Sequence, residues 1–141
     1  MIVIDTNIVS VLMDSEHQDF SRIESWRRAT ADQNIRVTSI SKAEVNFGIA
    51  ILPEGAKKRR LTVLAHQFFT PLMNLILPFG FREAEAYGSI MASRRAQGHP
   101  MGSLDAQIAA IAKVAGAIVA TRDVSDFLDC GVPVVNPYQQ A

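Results

Sequence analysis

The chain is short of several things, and each shortage excludes something. One cysteine, Cys130, stands among 141 residues, so no intrachain disulfide can form and a cysteine-based zinc site is ruled out. Tryptophan occurs once, at Trp26, and histidine three times. There is no net charge, because 14 basic residues balance 14 acidic ones, which argues against a uniformly basic surface for nucleic acid. No apolar run approaches the length that spans a bilayer. The N-terminal apolar stretch is only Ile2-Val3-Ile4 and ends on an acid, so it does not read as a signal peptide. A cytoplasmic protein of one domain, residues 1–141, is expected. An apolar fraction of 48% with 20% charged residues is that of a globular chain with a proper core.

What is present alternates between two periodicities. Ile2-Val3-Ile4 is a β-branched run that stops at Asp5 and passes directly into a helical pattern over 7–13. A second helix is predicted over 18–31. Ile35, Val37 and Ile40 alternate with polar residues, as a short strand does. Ser41-Lys42-Ala43-Glu44 matches a capping box, which predicts a helix over 41–52. A long helical segment, basic at its start, follows over 56–75 and is interrupted at Pro71. The apolar stretch 74–79 reads as a short strand, and 83–97 as a helix. Ser103 is placed to cap an amphipathic helix that Gly116 terminates. A buried strand at 117–121 leads into a loop and helical turn. Val132, Val134 and Val135 suggest a last strand, with Pro133 favouring a sheet edge. Strands alternating with helices predict an α/β fold in three layers, α/β/α, around a parallel sheet of about five short strands.

Acids recur at related places in this pattern. Asp5 ends the first strand, Glu44 and Asp105 lie in first helical turns, and Asp123 follows the strand at 117–121, with Asp126 three residues on. Each has a local explanation as a cap, a dipole partner or a turn residue. In a parallel sheet, however, these places share the carboxyl edge, where ligands bind. Carboxylates gathered there repel one another unless a cation joins them, and oxygen donors without cysteine point to Mg²⁺ or Mn²⁺. If four or five acids gather in one pocket, the remaining surface carries an excess of roughly four or five positive charges, enough to attract a polyanion.

Four segments, Val3-Ile4-Asp5-Thr6-Asn7, Ser41-Lys42-Ala43-Glu44-Val45 with Gly48, Ser103-Leu104-Asp105-Ala106-Gln107-Ile108 and Ala120-Thr121-Arg122-Asp123 with Asp126-Phe127, together resemble a PIN-domain ribonuclease of the VapC/FitB toxin type. The resemblance runs from Ile2 to about Pro137. It implies that Asp5, Glu44, Asp105 and Asp123 match the family's acidic quartet for Mg²⁺ or Mn²⁺, and that Asp126 matches a frequent additional acid. Thr6 and Thr121 match small hydroxyl positions beside the cluster that hold carboxylates or metal waters, and Asn7 could do likewise. Many of these toxins carry Asn where this chain has Asp123, and many carry an acid near Gly80–Phe81, which this chain lacks. The resemblance further implies metal-dependent cleavage of RNA to a 5′-phosphate and a 3′-hydroxyl, a homodimer, and a small VapB/FitA-type antitoxin partner. Lys42, Lys57, Lys58, Arg59, Arg60, Arg94, Arg95 and Arg122 are candidates for an RNA-facing rim. Apolar helical surface around Leu52, Leu61, Leu64, Phe68 and Phe69 is a candidate seat for the antitoxin. Three other readings compete. The first is a non-catalytic PIN-like binding module. The second is a phosphotransfer receiver, which needs an acidic pair where Asp5 stands alone. The third is an RNase H-type nuclease, which should begin with an antiparallel meander.

Overall fold

The computed structural model describes residues 1–139. Four strands form one sheet: β1 (Ile2–Ile4), β2 (Ile35–Arg36), β3 (Ile118–Ala120) and β4 (Val134–Val135). Their order is β2-β1-β3-β4 and every pairing is parallel. The helices are α1 (Thr6–Leu12), α2 (Phe20–Ala29), α3 (Ser39–Ala50), α4 (Ala56–Phe69), α5 (Phe81–Ala96) and α6 (Ser103–Ala115).

Alternation along two- and three-residue strands is enough to define two cores. Ile2 and Ile4 pack with Ile8, Val9, Val11, Ile23, Trp26, Val45 and Phe69 from α1 to α4. Val3 and Val119 point the other way, onto Ile90 of α5, Ile108 and Ala109 of α6, and Phe127. The sheet is therefore covered on both faces, as parallel sheets are, and the α/β/α layering holds. β1 lies in the middle because all three of its residues are buried and apolar.

The sheet has four strands, not about five, in the described residues. The stretch expected to supply the extra one contributes a single parallel bridge between Thr38 and Leu77. Pro78 follows at once and has no N–H with which to extend a ladder. Pro71 ends the long basic helix as expected, α4 giving way to a 3₁₀ turn at Thr70–Leu75. Gly116 closes α6 at φ 65°, the left-handed conformation that favours glycine.

Two caps differ from expectation. The α3 cap is Thr38, whose Oγ1 accepts from the Ser41 N–H at 3.1 Å, so Ser41 lies inside the helix. Glu44 then sits a turn too deep to close a capping box, and its carboxylate is released for another partner. The residue preceding α6 is Gly102, with Ser103 its first helical residue, linked to the Tyr87 hydroxyl at 3.1 Å and Gln107 at 3.2 Å.

Candidate active site

The carboxyl ends of β1 and β3 are tied together before any side chain is considered, since the Asp5 N–H donates to the Ala120 carbonyl at 2.9 Å. That bond sets Asp5 beside Thr121. Asp5 is 6% exposed and Thr121 fully buried. One Asp5 oxygen, Oδ1, accepts from the Thr6 N–H at 2.7 Å, the helix-capping bond that a local reading expects. The other, Oδ2, accepts from Thr121 Oγ1 at 2.8 Å and lies 3.4 Å from the Asn7 amide. Asp5 thus caps α1 and also belongs to a larger polar cluster.

Asn7 and Thr6 spread that cluster to the other acids. Asn7 Nδ2 donates to Asp123 Oδ2 at 3.1 Å and lies 3.3 Å from Thr121 Oγ1, while its Oδ1 accepts from the Arg122 N–H at 3.3 Å. Thr6 Oγ1 donates to Glu44 Oε1 at 2.8 Å and stands 2.9 Å from Ser41 Oγ. Glu44, freed from capping, is therefore gripped from α1. Ser41 has a part in this network that its position in an apparent capping box conceals.

Asp105 enters electrostatically. Its carboxyl is pushed up to about 6, first by burial and then by the charges of Asp5, Asp126, Glu44 and Asp123. Asp5 is also raised: burial outweighs the hydrogen bonds from Thr121 and Thr6, and Glu44 and Asp123 add to the effect. All five acids singled out in the sequence thus act on one space at the carboxyl edge of the sheet. They surround it rather than converge on one point: among the described residues, no three acidic, histidine or cysteine side chains already stand as a metal-holding group. The donors offered are oxygens, the set suited to Mg²⁺ or Mn²⁺ rather than zinc.

The basic residues divide sharply. Lys58 Nζ bonds the Ala50 and Leu52 carbonyls at the end of α3 and pairs with Glu54 at 2.9 Å. Arg60 pairs with Asp14 and Glu16 at 2.6 and 2.9 Å. Lys42 sits over the Phe69 ring. Arg94 is buried at 6% exposure and, among the described residues, donates to the carbonyls of His99, Asp126 and Leu128, so it is no rim residue. Arg122 remains at the rim, one residue from Asp123.

Two apolar clefts lie elsewhere. One, of about 480 Å³, runs between α3 and α4 and includes Ile49, Ala65, His66, Phe69 and Met73. The other, of about 350 Å³, lies beside β2 and includes Leu12, Ile35, Phe68 and Leu72. Phe69 of the expected apolar surface is buried, whereas Phe47 of α3 and Ile51, the residue that caps its end, are about two-thirds exposed.

A parallel α/β sheet with acids around a space beyond the ends of its two central strands defines the class, an α/β protein whose sheet edge offers the oxygen donors that suit a divalent cation. The sequence comparisons agree with that class and narrow it. The PIN domain model matches residues 2–129, and the chain belongs to that family. It is 34% identical to the VapC ribonuclease Y4jK of Sinorhizobium fredii over the full length of both, and 32% identical to the toxin FitB of Neisseria gonorrhoeae over 98% of this chain and 99% of that one. A chain of the solved FitAB complex bound to an IR36 DNA fragment superposes with a TM-score of 0.87, at 32% identity, covering all of this chain and 98% of that one.

Proposed function

We propose that this protein is a metal-dependent endoribonuclease acting as the toxin of a toxin–antitoxin pair. The observation that carries the reading is the buried Asp5 carboxylate, held by Thr121 and Thr6, which with burial and three further acids, Asp126, Glu44 and Asp123, raises Asp105 to about 6. An assembly of like charges so costly is sensible when a cation completes it. The names of the relatives, a ribonuclease and a toxin, supply the substrate class and the biological setting.

Asp5, Asp105 and Asp123 would hold the ion, Glu44 binding directly or through water and Asp126 adding a fifth carboxylate. A divalent ion there supplies Lewis acidity toward a water and positive charge against the scissile phosphate. The chain's own residues do the positioning. Thr121 and the Thr6 N–H fix both Asp5 oxygens, Asn7 ties Asp123 to the Asp5–Thr121 pair, and Thr6 turns Glu44 inward. Such outer partners commonly matter 10–100-fold, at roughly that order, for metal affinity or activity.

The antitoxin would lay an apolar segment in one of the clefts beside α4, and the exposed Phe47–Ile51 face of α3 offers a surface for a homodimer. The test of the enzyme reading compares RNA cleavage in Mg²⁺ by the parent and by Asp5→Asn. Removing a buried ligand charge should lower the rate by about 10²-fold or more; equal cleavage refutes the assignment. Failure of the parent to bind Mn²⁺ would favour the non-catalytic module instead.

A further inference from the structure

The chain balances its charges overall, yet the cations that remain unpaired are not spread evenly. Two of them, Arg22 and Arg122, meet around Tyr138. The Arg122 guanidinium lies 5.1 Å from the centre of the Tyr138 ring, and the Arg22 guanidinium 5.6 Å from it. Arg22 also donates to the Tyr138 carbonyl. The Tyr138 hydroxyl donates to Asp19 Oδ2 at 3.3 Å, which holds the ring against the start of α2. Both arginines are exposed. Neither is among the carboxylate-paired cations of the described residues, which are Arg27, Arg28, Lys58 and Arg60.

Three separate segments meet here: α2, the loop after β3, and the chain after β4. Arg122 immediately precedes Asp123, and its backbone N–H is bonded to Asn7. The cluster is therefore fixed to the acid site through the backbone. A guanidinium stacked on an aromatic ring is already ordered, so less rotamer freedom is lost when its free N–H groups meet an anion. Guanidinium presents a planar fork that fits phosphate oxygens in pairs.

We infer that Arg22, Tyr138 and Arg122 form a phosphate-binding platform that seats the RNA backbone beside Asp123. The inference rests on the RNA-cleaving reading of the site, and it adds the direction from which the strand approaches. A polyanion must overcome the repulsion of five carboxylates, and an ordered pair of cations on one flank supplies attraction on that side. The rest of the strand then leaves along the face that carries α2 and the C-terminal segment. Lys113, exposed in the last turn of α6, lies at the far end of that helix from Asp105.

The experiment measures the affinity of the full-length protein for a fluorescein-labelled single-stranded RNA of mixed sequence in EDTA, as a function of salt. KM for cleavage of the same RNA is measured in Mg²⁺. Arg122→Gln and Arg22→Gln should each weaken binding by about three- to ten-fold, reduce the salt slope by about one, and raise KM. Tyr138→Phe keeps the ring and should stay within about two-fold of the parent, whereas Tyr138→Leu should weaken binding as the arginine changes do. Lys113→Gln should leave affinity unchanged. If the parent neither binds nor cleaves RNA, the enzyme reading itself fails. If the parent binds and cleaves but Arg122→Gln and Arg22→Gln leave affinity, slope and KM unaltered, the platform is overturned and the enzyme stands. If those changes spare RNA but weaken binding to polyglutamate, the platform reads protein carboxylates and its assignment to RNA is overturned.

Discussion

Replacing Arg94 should cost this protein a large part of its stability, although Arg94 pairs with none of the acids. Its guanidinium is 6% exposed, and its donors go to three backbone carbonyls: Nε to His99 at 2.7 Å, and Nη1 to Asp126 at 3.1 Å and Leu128 at 2.6 Å. It joins α5 to the turn carrying Asp126 and to the loop that leads into α6. A hydrogen bond to a charged group contributes roughly 1.5–3 kcal/mol, and three at one side chain are not additive. Arg94→Met keeps the apolar stem, removes the charge and leaves the three acceptors without their donor. A loss of about 3–5 kcal/mol follows. Domains of this size are stable by roughly 5–15 kcal/mol, so the variant would still fold in many conditions but unfold early. With a urea slope of about 2 kcal/mol per molar, the midpoint should fall by about 2 M. The single tryptophan, buried at 5% exposure in α2, reports the transition by fluorescence. Arg94→Lys retains a charge but not the fork, and should fall between the two. A midpoint shift for Arg94→Met corresponding to less than about 1 kcal/mol would refute the reasoning, because the carbonyls would then have found other partners.

Two further outcomes follow from the acid site, beside the loss of cleavage expected for Asp5→Asn. Asp105 is raised to about 6 in the folded protein from an ordinary 3.8, by burial and then by Asp5, Asp126, Glu44 and Asp123. The folded state therefore holds this proton more tightly than the unfolded one, so ionised Asp105 opposes folding above about pH 6 and is relieved as pH falls toward about 4. In EDTA, Asp105→Asn should be more stable than the parent at pH 7.5, by about 1 kcal/mol once solvent screening of this half-buried group is allowed for. The gap should close near pH 4; a gap independent of pH in thermal melts would contradict this origin. Thr6→Val removes the hydroxyl that donates to Glu44 and meets Ser41. It should lower RNA cleavage about ten-fold with only a small change in melting temperature, and full activity would show that Glu44 needs no such hold.

Much of the architecture was readable because it depends on burial. Ile2-Val3-Ile4 admits one role, a central parallel strand, and Gly116 admits one conformation at the end of α6. The acids were legible because the carboxyl edge of a parallel sheet is a fixed place: Asp5 and Asp123 follow strands and Asp105 opens a helix there, while Glu44 lies in the second turn of α3. Hydroxyl competition was not legible. Thr38 and Ser41 are both good caps three residues apart, and the choice falls to Thr38 because the Thr38–Leu77 bridge holds it extended. The same choice explains why Ser41-x-x-Glu44 is no capping box. Arg94 and Arg122 look alike in a sequence; only the fold separates a buried crosslink from an exposed cation. Arg22 and Tyr138 lie 116 residues apart and carry no local signal of their meeting.

The position of β1 bears on the order in which the protein comes into being. It is made before both β2 and β3, yet it sits between them, and its Asp5 is fixed by Ala120 and Thr121. A growing chain on the ribosome has Asp5, Glu44 and even Asp105 in hand while residues 118–123 are still to come. Until they emerge, β1 lacks its main neighbour, Asp5 lacks the Thr121 hydroxyl, and Asp123 does not exist. Such long-range pairing is slow to form, since a loop of more than a hundred residues must close first. Assembly of the acid site is in this way deferred until residues 118–123 have been made, and a chain terminated before them lacks it altogether.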